Sequence, residues 1–456
     1  MKLVYGVKDK PSFGKTLVFA LQQLLAILAA TIAVPAIIGN GMSQSAALFG
    51  AGVGTIVYLL FTKFRSPVFL GSSFAFLGSM AAAFAGGVSA SAGYLGMIIG
   101  AVMAGLVYVV IALIVKFAGV KWISKLMPAV VIGPTVAIIG LSLSGNAIGD
   151  AVGVAKDGGA FVMNAHAGVC LICALVTLAV TMLSSVFGKK MMKMIPFIIG
   201  IVSGYIVASI FTIIGNNTGI DALKIIDYSA FSNLRWVPSF TFETAFSGGY
   251  DFGDAGSIAS YIGTIAAAYV PVAFVVFAEH IADHKNISTI IEHDLLEDPG
   301  LHRTLLGDGV GSMVGAFFGG CPNTTYGESI GCVAISGNAS VVTIFATAIL
   351  AIIASFFAPF VAFLASIPSC VMGGVCISLY GFIAVSGLKM IQDVDLGENR
   401  NLFIVSVILI AGVGGLVLKF GSVTITEVAC ALILGILTNL ILPEKKKADK
   451  DAKETK

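Results

Sequence analysis

Two glutamates, Glu279 and Glu328, occupy positions where a carboxylate is unfavourable. Glu279 follows the apolar run Tyr269 to Ala278, and Glu328 lies in a polar, glycine-broken stretch, 321–331, between long apolar runs. A carboxylate within hydrocarbon costs about 2.5–3.5 kcal/mol, so it usually faces a ligand, an ion or a partner. Carboxylates accept hydrogen bonds, and the pair therefore suits an uncharged planar ligand that carries both N–H and C=O groups.

Two aspartates extend this acidic set. Asp283 falls four residues after Glu279, on the same face of a helix. Two acids so close in a medium of low dielectric are not both expected to be ionised, so a shared proton is a natural coupling device. We therefore interpret Glu279, Asp283, Glu328 and Asp308 as proton-coupling candidates. Asp308 has three open roles: a helix cap, a tie between helices, or a group that tunes the proton site.

The composition identifies a polytopic membrane protein. The 456 residues are 57% hydrophobic and 11% charged, and the mean hydropathy is +1.00. Soluble domains carry about 25% charged residues. With roughly 20 apolar residues per span, the sequence predicts fourteen segments, the third and tenth of them broken. They are 15–39, 43–62, 68–86, 92–117, 122–143, 165–187, 194–215, 257–283, 304–320, 322–337, 339–363, 369–388, 401–418 and 424–442.

The distribution of positive charge tests this count. With both termini cytoplasmic, all but four of the 26 basic residues lie in inner loops and tails. The exceptions are Lys156, Lys224, Arg235 and Lys419. A miscounted span would invert every later loop, so the positive-inside rule supports an even number of spans.

An internal repeat relates two halves of the chain. Residues 51–61 and 308–318 match at five of eleven positions at an offset of 257. A polar break follows each copy, at Ser66–Phe76 and at Pro322–Glu328. Since seven spans separate the copies, the halves have opposite orientations, as in secondary transporters whose broken elements meet at the binding site.

The two breaks are predicted to pair with each other as short antiparallel strands. Half-helices that start at Phe74 and Gly327 would then direct free N–H groups at a ligand carbonyl. Tyr326 and Phe74, beside the breaks, would offer aromatic faces. A structural cap on the second half-helix is the alternative role for Glu328.

The remaining polar residues favour structural roles. His280 is interpreted as a packed core histidine rather than a ligand, the Cys170–Cys173 pair as structural, and Glu427 as a charge at a helix N-terminus. The glycines 307, 309 and 311 indicate close helix packing rather than a nucleotide loop. Four other histidines are expected in or near loops: His166, His284, His293 and His302. No cofactor, metal or nucleic-acid partner is expected.

These motifs resemble those of the nucleobase–ascorbate transporter family, especially its bacterial uracil and xanthine permeases. The similarity runs from about Leu21 to Leu442. The matching strings are Gly-Ser-Ser-Phe-Ala-Phe (71–76), Ala-Glu-His (278–280), Asp-Leu-Leu-Glu-Asp-Pro-Gly-Leu-His-Arg (294–303) and Pro-Asn-Thr-Thr-Tyr-Gly-Glu (322–328).

The resemblance implies an all-α membrane fold of fourteen segments arranged as a 7+7 inverted repeat. It implies a core domain (15–118 and 257–363), a gate domain (119–215 and 364–442), an extracellular loop (216–256) and a cytoplasmic tail (443–456). It also implies proton symport at the cell membrane, elevator-type movement of the core, and a homodimer formed through the gate domains.

The family pattern also assigns roles at the site. The resemblance implies that Glu279 and Glu328 bind the base and that the backbone N–H groups of Phe74 and Gly327 hold its carbonyls. Ala30, Tyr326 and Tyr380 are implied to line the site.

Some positions depart from the uracil pattern. Gln23 replaces a usual histidine, and Asp283 is typical of xanthine members. Glu328, by contrast, agrees with the pattern of the uracil members. Uracil is the favoured substrate and xanthine the alternative. An anion transporter of the same fold is a remote alternative, because two carboxylates would repel its substrate. A channel would need a continuous polar path, and the apolar spans of this sequence show none. An enzyme is not expected either, because the spans contain no nucleophile–base pair.

Overall fold

The computed structural model of the protein describes residues 3–157, 159–189, 191–232, 234–420 and 423–442. The predicted cytoplasmic tail, 443–456, lies outside these residues. The described chain is mainly helical. Its helices are α1 Phe13–Ile38, α2 Gln44–Phe61, α3 Leu77–Ala83, α4 Ala90–Ala118, α5 Lys121–Leu126, α6 Ala129–Ser142, α7 Ser144–Val152, α8 Ala165–Phe187, α9 Met191–Met194, α10 Pro196–Thr218, α11 Ser229–Ser232, α12 Thr241–Ala245, α13 Ile258–Ile291, α14 Leu301–Gly319, α15 Gly327–Ser336, α16 Val341–Ser355, α17 Ala358–Ala365, α18 Ser369–Met390, α19 Asn399–Val413 and α20 Glu427–Ile441.

Within the residues that the structure describes, six short strands form three separate antiparallel pairs. The strands are β1 Leu70–Ser72, β2 Lys156–Asp157, β3 Ala160–Phe161, β4 Asn323–Thr325, β5 Leu418–Phe420 and β6 Val423–Ile425. The pairs β2–β3 and β5–β6 join neighbours in sequence, whereas β1 pairs with β4 from the other half of the chain. The predicted pairing of the two breaks is therefore confirmed.

Eight helices of the described chain are long and apolar enough to cross a membrane, and nine if the bent pair α16–α17 is one span. The axis turns by 82° between α16 and α17. The sequence predicts one unbroken span over 339–363, without this bend. α19 and α20 are also shorter than predicted, because the paired strands β5 and β6 take up residues 418–420 and 423–425. The count of fourteen segments stays a prediction.

Glycines allow α2 and α14, which the repeat relates, to pack in close contact. A Cβ built on Gly54 would lie 2.8 Å from the carbonyl oxygen of Gly311, and one built on Gly311 would lie 2.8 Å from that of Gly54. This contact is reciprocal between positions related by the offset of 257. The interpretation of the 307–311 glycines as packing residues is confirmed.

Two groups of helices surround the broken segments. α1, α2, α4, α13, α14 and α16 pack on one another, and α6, α7, α8, α10, α18, α19 and α20 form a second group. The β1–β4 pair lies against α1, α2, α13 and α14 of the first group.

The segment that precedes α1, residues 3–11, will be called the N-terminal strap. It runs along the chain that follows α15, where the Val4 N–H donates to the Gly337 carbonyl at 2.8 Å. The Ala339 N–H donates to Tyr5 at 2.9 Å and the Val341 N–H to Val7 at 3.1 Å. The strap thereby attaches the end of α15 to the start of α1.

Candidate functional site

The β1–β4 pair holds the two broken segments together inside the protein. Gly71 lies opposite Thr324 in the register. The Ser73 N–H donates to the Pro322 carbonyl at 2.9 Å and the Tyr326 N–H to that of Phe69 at 3.1 Å, which extends the ladder. Non-helical backbone is tolerated at membrane depth when protein groups satisfy it in this way.

A half-helix leaves each strand. Phe74–Phe76 form a 3-10 turn that continues into α3, and α15 begins at Gly327. Both predicted half-helix starts are therefore found in the structure. The first N–H groups of a helix have no partner within the helix, so each start presents hydrogen-bond donors and a partial positive charge.

A small central cavity of about 30 Å³ lies between these two starts. Five of the predicted ligand-contact residues line it together: Phe74, Glu279, Tyr326, Gly327 and Glu328. The other lining residues are Ser73, Ala75, Ile139, Thr324, Thr325 and Ile383.

Two predicted contact residues do not line this cavity. Ala30 is buried in α1, with 1% of its surface exposed. Tyr380, on α18, packs edge-on against Phe74 with ring centroids 5.6 Å apart. Phe74 is thus held between the central cavity and a residue of the second helix group.

A larger cavity of about 370 Å³ adjoins one side of the central cavity and will be called the acidic cavity. Glu279, Asp283 and Glu328 line it, and so do Lys193 and Asn286. It shares Glu279, Gly327, Glu328 and Ile383 with the central cavity. Three of the four predicted proton-coupling residues therefore face one space.

A third cavity, of about 460 Å³, adjoins the central cavity at Phe74 and will be called the opposite cavity. It shares only Phe74, Ala75 and Ile139 with the central cavity. Asn40 and Glu427 also line it. Glu427 is the first residue of α20, which agrees with its interpretation as a charge at a helix N-terminus.

The two aspartates have different surroundings. The Thr325 hydroxyl donates to Asp283 Oδ2 at 2.7 Å, so Asp283 is tied to the strand that precedes α15. Asp308 is 1% exposed and lies outside the lining of the described cavities that contain the other three acids. Its Oδ2 is 2.7 Å from His280 Nδ1. Asp308 therefore ties α14 to α13, one of the three roles left open above.

Both histidines of α13 are buried. His280 also contacts the Thr304 hydroxyl through Nε2 at 3.0 Å, which fits a packed core histidine. The expectation that His284 lies in or near a loop is wrong, because α13 continues to Ile291. Its Nε2 is 2.7 Å from the Tyr58 hydroxyl, its Nδ1 is 2.8 Å from the His280 carbonyl, and its ring stacks on that of His280.

The sequence did not predict the roles of several residues of the site. Ile139 and Ile383 come from the second helix group and cover the central cavity, and long apolar runs give no signal that would single them out. Gln23 donates from Nε2 to the Ser329 carbonyl at 3.2 Å, so it connects α1 to α15. Among the described residues, no group of three or more His, Cys, Asp or Glu side chains is placed to hold a metal ion.

Comparison with known sequences gives full-length matches. The family model described as "Permease family" matches residues 14–419. The chain is 42% identical to the uracil permease of Bacillus caldolyticus, over 98% of this chain and 96% of that one. It is 38% identical to the uracil permease of Bacillus subtilis, over 99% and 98%. It is 34% identical to the uracil permease of Escherichia coli K12, over 96% and 93%.

Solved structures match the fold at low sequence identity. The transmembrane domain of the cyanobacterial bicarbonate transporter BicA superposes with a TM-score of 0.61 and 16% identity, covering 96% of this chain and 99% of that domain. SLC26A9 superposes with a TM-score of 0.65 and 12% identity, covering 94% of this chain and 64% of that one. At these identities the likeness concerns the fold alone.

Proposed function

This chain belongs to the Permease family, a family of integral membrane transporters, and we propose that it imports a nucleobase, uracil, across the cell membrane together with a proton. The observation that carries the proposal is the central cavity. There, Glu279 and Glu328 meet the starts of two half-helices at Phe74 and Gly327. The uracil permeases that match over the full chain support the choice of substrate.

The chemistry of this cavity complements an uncharged pyrimidine. The carboxylates of Glu279 and Glu328 accept hydrogen bonds from ring N–H groups, and the backbone N–H groups of Phe74 and Gly327 donate to the two carbonyls. A volume of about 30 Å³ is that of one water molecule. The base therefore lies at the junction of the central and acidic cavities, with one edge in the central cavity.

An anionic substrate fits this site poorly. The structural neighbours include a bicarbonate transporter, but fold alone does not define substrate. Here three carboxylates line the acidic cavity, and an anion would meet like charge in a medium of low dielectric. The same acids attract a proton, which supports symport. Glu279, Asp283 and Glu328 form the proton-coupling cluster, and Asp308 supports it through His280.

The wider architecture is part of the proposal. The two helix groups correspond to the core and gate domains, and the fourteen segments form a 7+7 inverted repeat. Two protomers pair through their gate domains. With the predicted cytoplasmic termini, Lys193 and Asn286 mark the acidic cavity as the inward-facing one. Elevator-type movement of the core would carry the base past Ile139 and Ile383, from the side of the opposite cavity to that of the acidic cavity.

Uptake of radiolabelled uracil into proteoliposomes tests the function. We expect accumulation that a proton gradient, acid outside, drives and a protonophore abolishes. Excess unlabelled uracil should compete better than xanthine. Stronger competition by xanthine would favour the purine alternative, and uptake that depends on sodium but not on the protonophore would contradict proton coupling.

A further inference from the structure

Two buried hydroxyl groups in the central cavity have no hydrogen-bond partner among the described residues. Ser73 is 1% exposed and Thr324 is 3% exposed, and both line the cavity. Within the described part of the chain, neither hydroxyl oxygen has a hydrogen-bond partner. Their neighbours differ: Thr325 donates to Asp283 at 2.7 Å and Tyr326 donates to the Ser72 carbonyl at 2.8 Å.

The strand register places both hydroxyls on one face of the β1–β4 ribbon. Thr324 lies opposite Gly71, so their side-chain positions share a face, and Ser73 follows two residues after Gly71 on that face. A Cβ built on Gly71 would lie 2.3 Å from the Tyr326 ring, so Tyr326 covers this face. Asn323, on the other face, donates to the Gly50 carbonyl at 3.0 Å, away from the cavity.

An unsatisfied buried hydroxyl destabilises a protein, and a native one therefore needs an explanation. The proposed ligand supplies one. Each exocyclic carbonyl oxygen of a pyrimidine base has two lone pairs, and a half-helix N–H occupies only one of them. A serine or threonine hydroxyl is free to rotate and can donate to the second.

We propose that the hydroxyls of Ser73 and Thr324 donate hydrogen bonds to the exocyclic carbonyl oxygens of the bound base and set its preference for oxygen over sulfur at those positions. This inference rests on the proposed function and adds specificity-determining residues to it. A site built to bind an oxygen acceptor discriminates against an analogue that accepts hydrogen bonds weakly, as a thiocarbonyl does.

The test uses the full-length protein in detergent and the variants Ser73→Ala and Thr324→Val. Binding of uracil, 2-thiouracil and 4-thiouracil is measured by titration calorimetry, and the melting temperature is measured without ligand. Ser79→Ala is the matched control. Ser79 is fully buried in α3 and its hydroxyl donates to the Ala268 carbonyl at 2.6 Å, outside the central cavity.

Each cavity variant is expected to bind uracil about three- to tenfold more weakly, the equivalent of one hydrogen bond. Its preference for uracil over at least one thiouracil should shrink by a similar factor. Its melting temperature without ligand should equal or exceed that of the wild type, because an unpaired hydroxyl has been removed. Ser79→Ala should melt at a lower temperature, because it removes a buried hydrogen bond between α3 and α13, and keep the wild-type preference.

Two results would contradict this inference and leave the proposed function intact. One is wild-type affinity and wild-type preference in both cavity variants. The other is a melting temperature lowered as in Ser79→Ala with the preference unchanged, which would indicate a structural role. If the wild-type protein binds neither uracil nor xanthine, the proposed function fails and this inference fails with it.

Discussion

The two half-helix arms, residues 70–83 and 323–336, share one architecture and contribute different chemistry. Each arm runs from a short strand into a helix, and the two strands pair. The first arm contains no charged residue, whereas the second carries Glu328 in its first helical turn. The first arm therefore offers only backbone donors and hydroxyls to a ligand, and the second adds a carboxylate.

The arms also differ in how they are held. The first is fixed at Leu70, whose N–H donates to the Thr55 hydroxyl at 2.9 Å, and at Ser79. The second is tied to α1 through Gln23, to α13 through Thr325, and to the N-terminal strap at its end. Substitutions in the first arm should therefore change its geometry or its uncharged donors, and those in the second should change the charged acceptor or the anchoring.

The largest effect is expected for Glu328→Gln. The substitution removes a charged acceptor, and hydrogen bonds to charged groups contribute about 1.5–3 kcal/mol, so uracil affinity should fall roughly 10- to 150-fold. Calorimetric titration of the purified protein measures it. Glu297→Gln is the control, because Glu297 lies exposed between α13 and α14 and should keep wild-type affinity. Unchanged uracil affinity in Glu328→Gln would contradict the proposal that the second arm contributes a charged acceptor to the ligand.

Gly71→Ala tests the contact between the arms. The added methyl would lie 2.3 Å from the Tyr326 ring, so the ribbon must shift. Overpacking of this kind costs about 1–3 kcal/mol, and we expect a lower melting temperature and slower uracil uptake. Gly168→Ala in α8 is the control: no described residue lies within 4 Å of its Cβ, and it does not line the cavities described above, so it should be neutral or stabilise by up to about 1 kcal/mol. A Gly71→Ala protein as stable and active as the wild type would contradict the close contact.

Removal of residues 1–10 tests the anchoring of the second arm. The strap's hydrogen bonds to Gly337, Ala339 and Val341 would be lost. Because each bond contributes only about 0.5–1.5 kcal/mol and ordering a terminus opposes it, we expect a net loss of about 1–2 kcal/mol in stability. Thermal unfolding measures the loss, with exposed Lys8→Ala as the control. An unchanged melting temperature would show that the arm does not need the strap.

The smallest effect is expected for Thr325→Val, which removes the hydroxyl that donates to Asp283. One neutral donor to a carboxyl group contributes about 0.5–1.5 kcal/mol, so uracil uptake should fall by less than about tenfold. Thr347→Val is the matched control, since its hydroxyl donates to the Thr343 carbonyl at 2.9 Å, outside the cavities described here. A loss of uracil uptake larger than that caused by Glu328→Gln would indicate that Asp283 matters more than Glu328, contrary to the proposed ranking.

Much of this arrangement was predictable from the sequence, because polar breaks between apolar runs are local signals. The half-helix starts at Phe74 and Gly327 and the pairing of their strands were visible in this way. The glycines 307, 309 and 311 predicted close helix packing, but not that α2 would be the partner. The acids Glu279 and Glu328 were visible because charge is rare in spans. The structure brings both to one cavity, and their roles stay predictions.

Other features were missed for different reasons. The 82° bend between α16 and α17 had a local signal that the prediction of one plain span overlooked, because Pro359 lies in the first turn of α17 and cannot continue the preceding helix. His284 was misplaced because α13 continues beyond its apolar part into the polar residues 283–291. Ser73 and Thr324 became candidates only when the register showed that their hydroxyls share a face and lack partners among the described residues.

The most direct test of the central claim is an experimental structure of the protein with uracil bound. We expect density for the base at the junction of the central and acidic cavities. Its ring N–H groups should lie within hydrogen-bond distance of Glu279 and Glu328, and its carbonyls should face the N–H groups of Phe74 and Gly327. A base bound elsewhere, or turned with its carbonyls toward the two glutamates, would contradict the account.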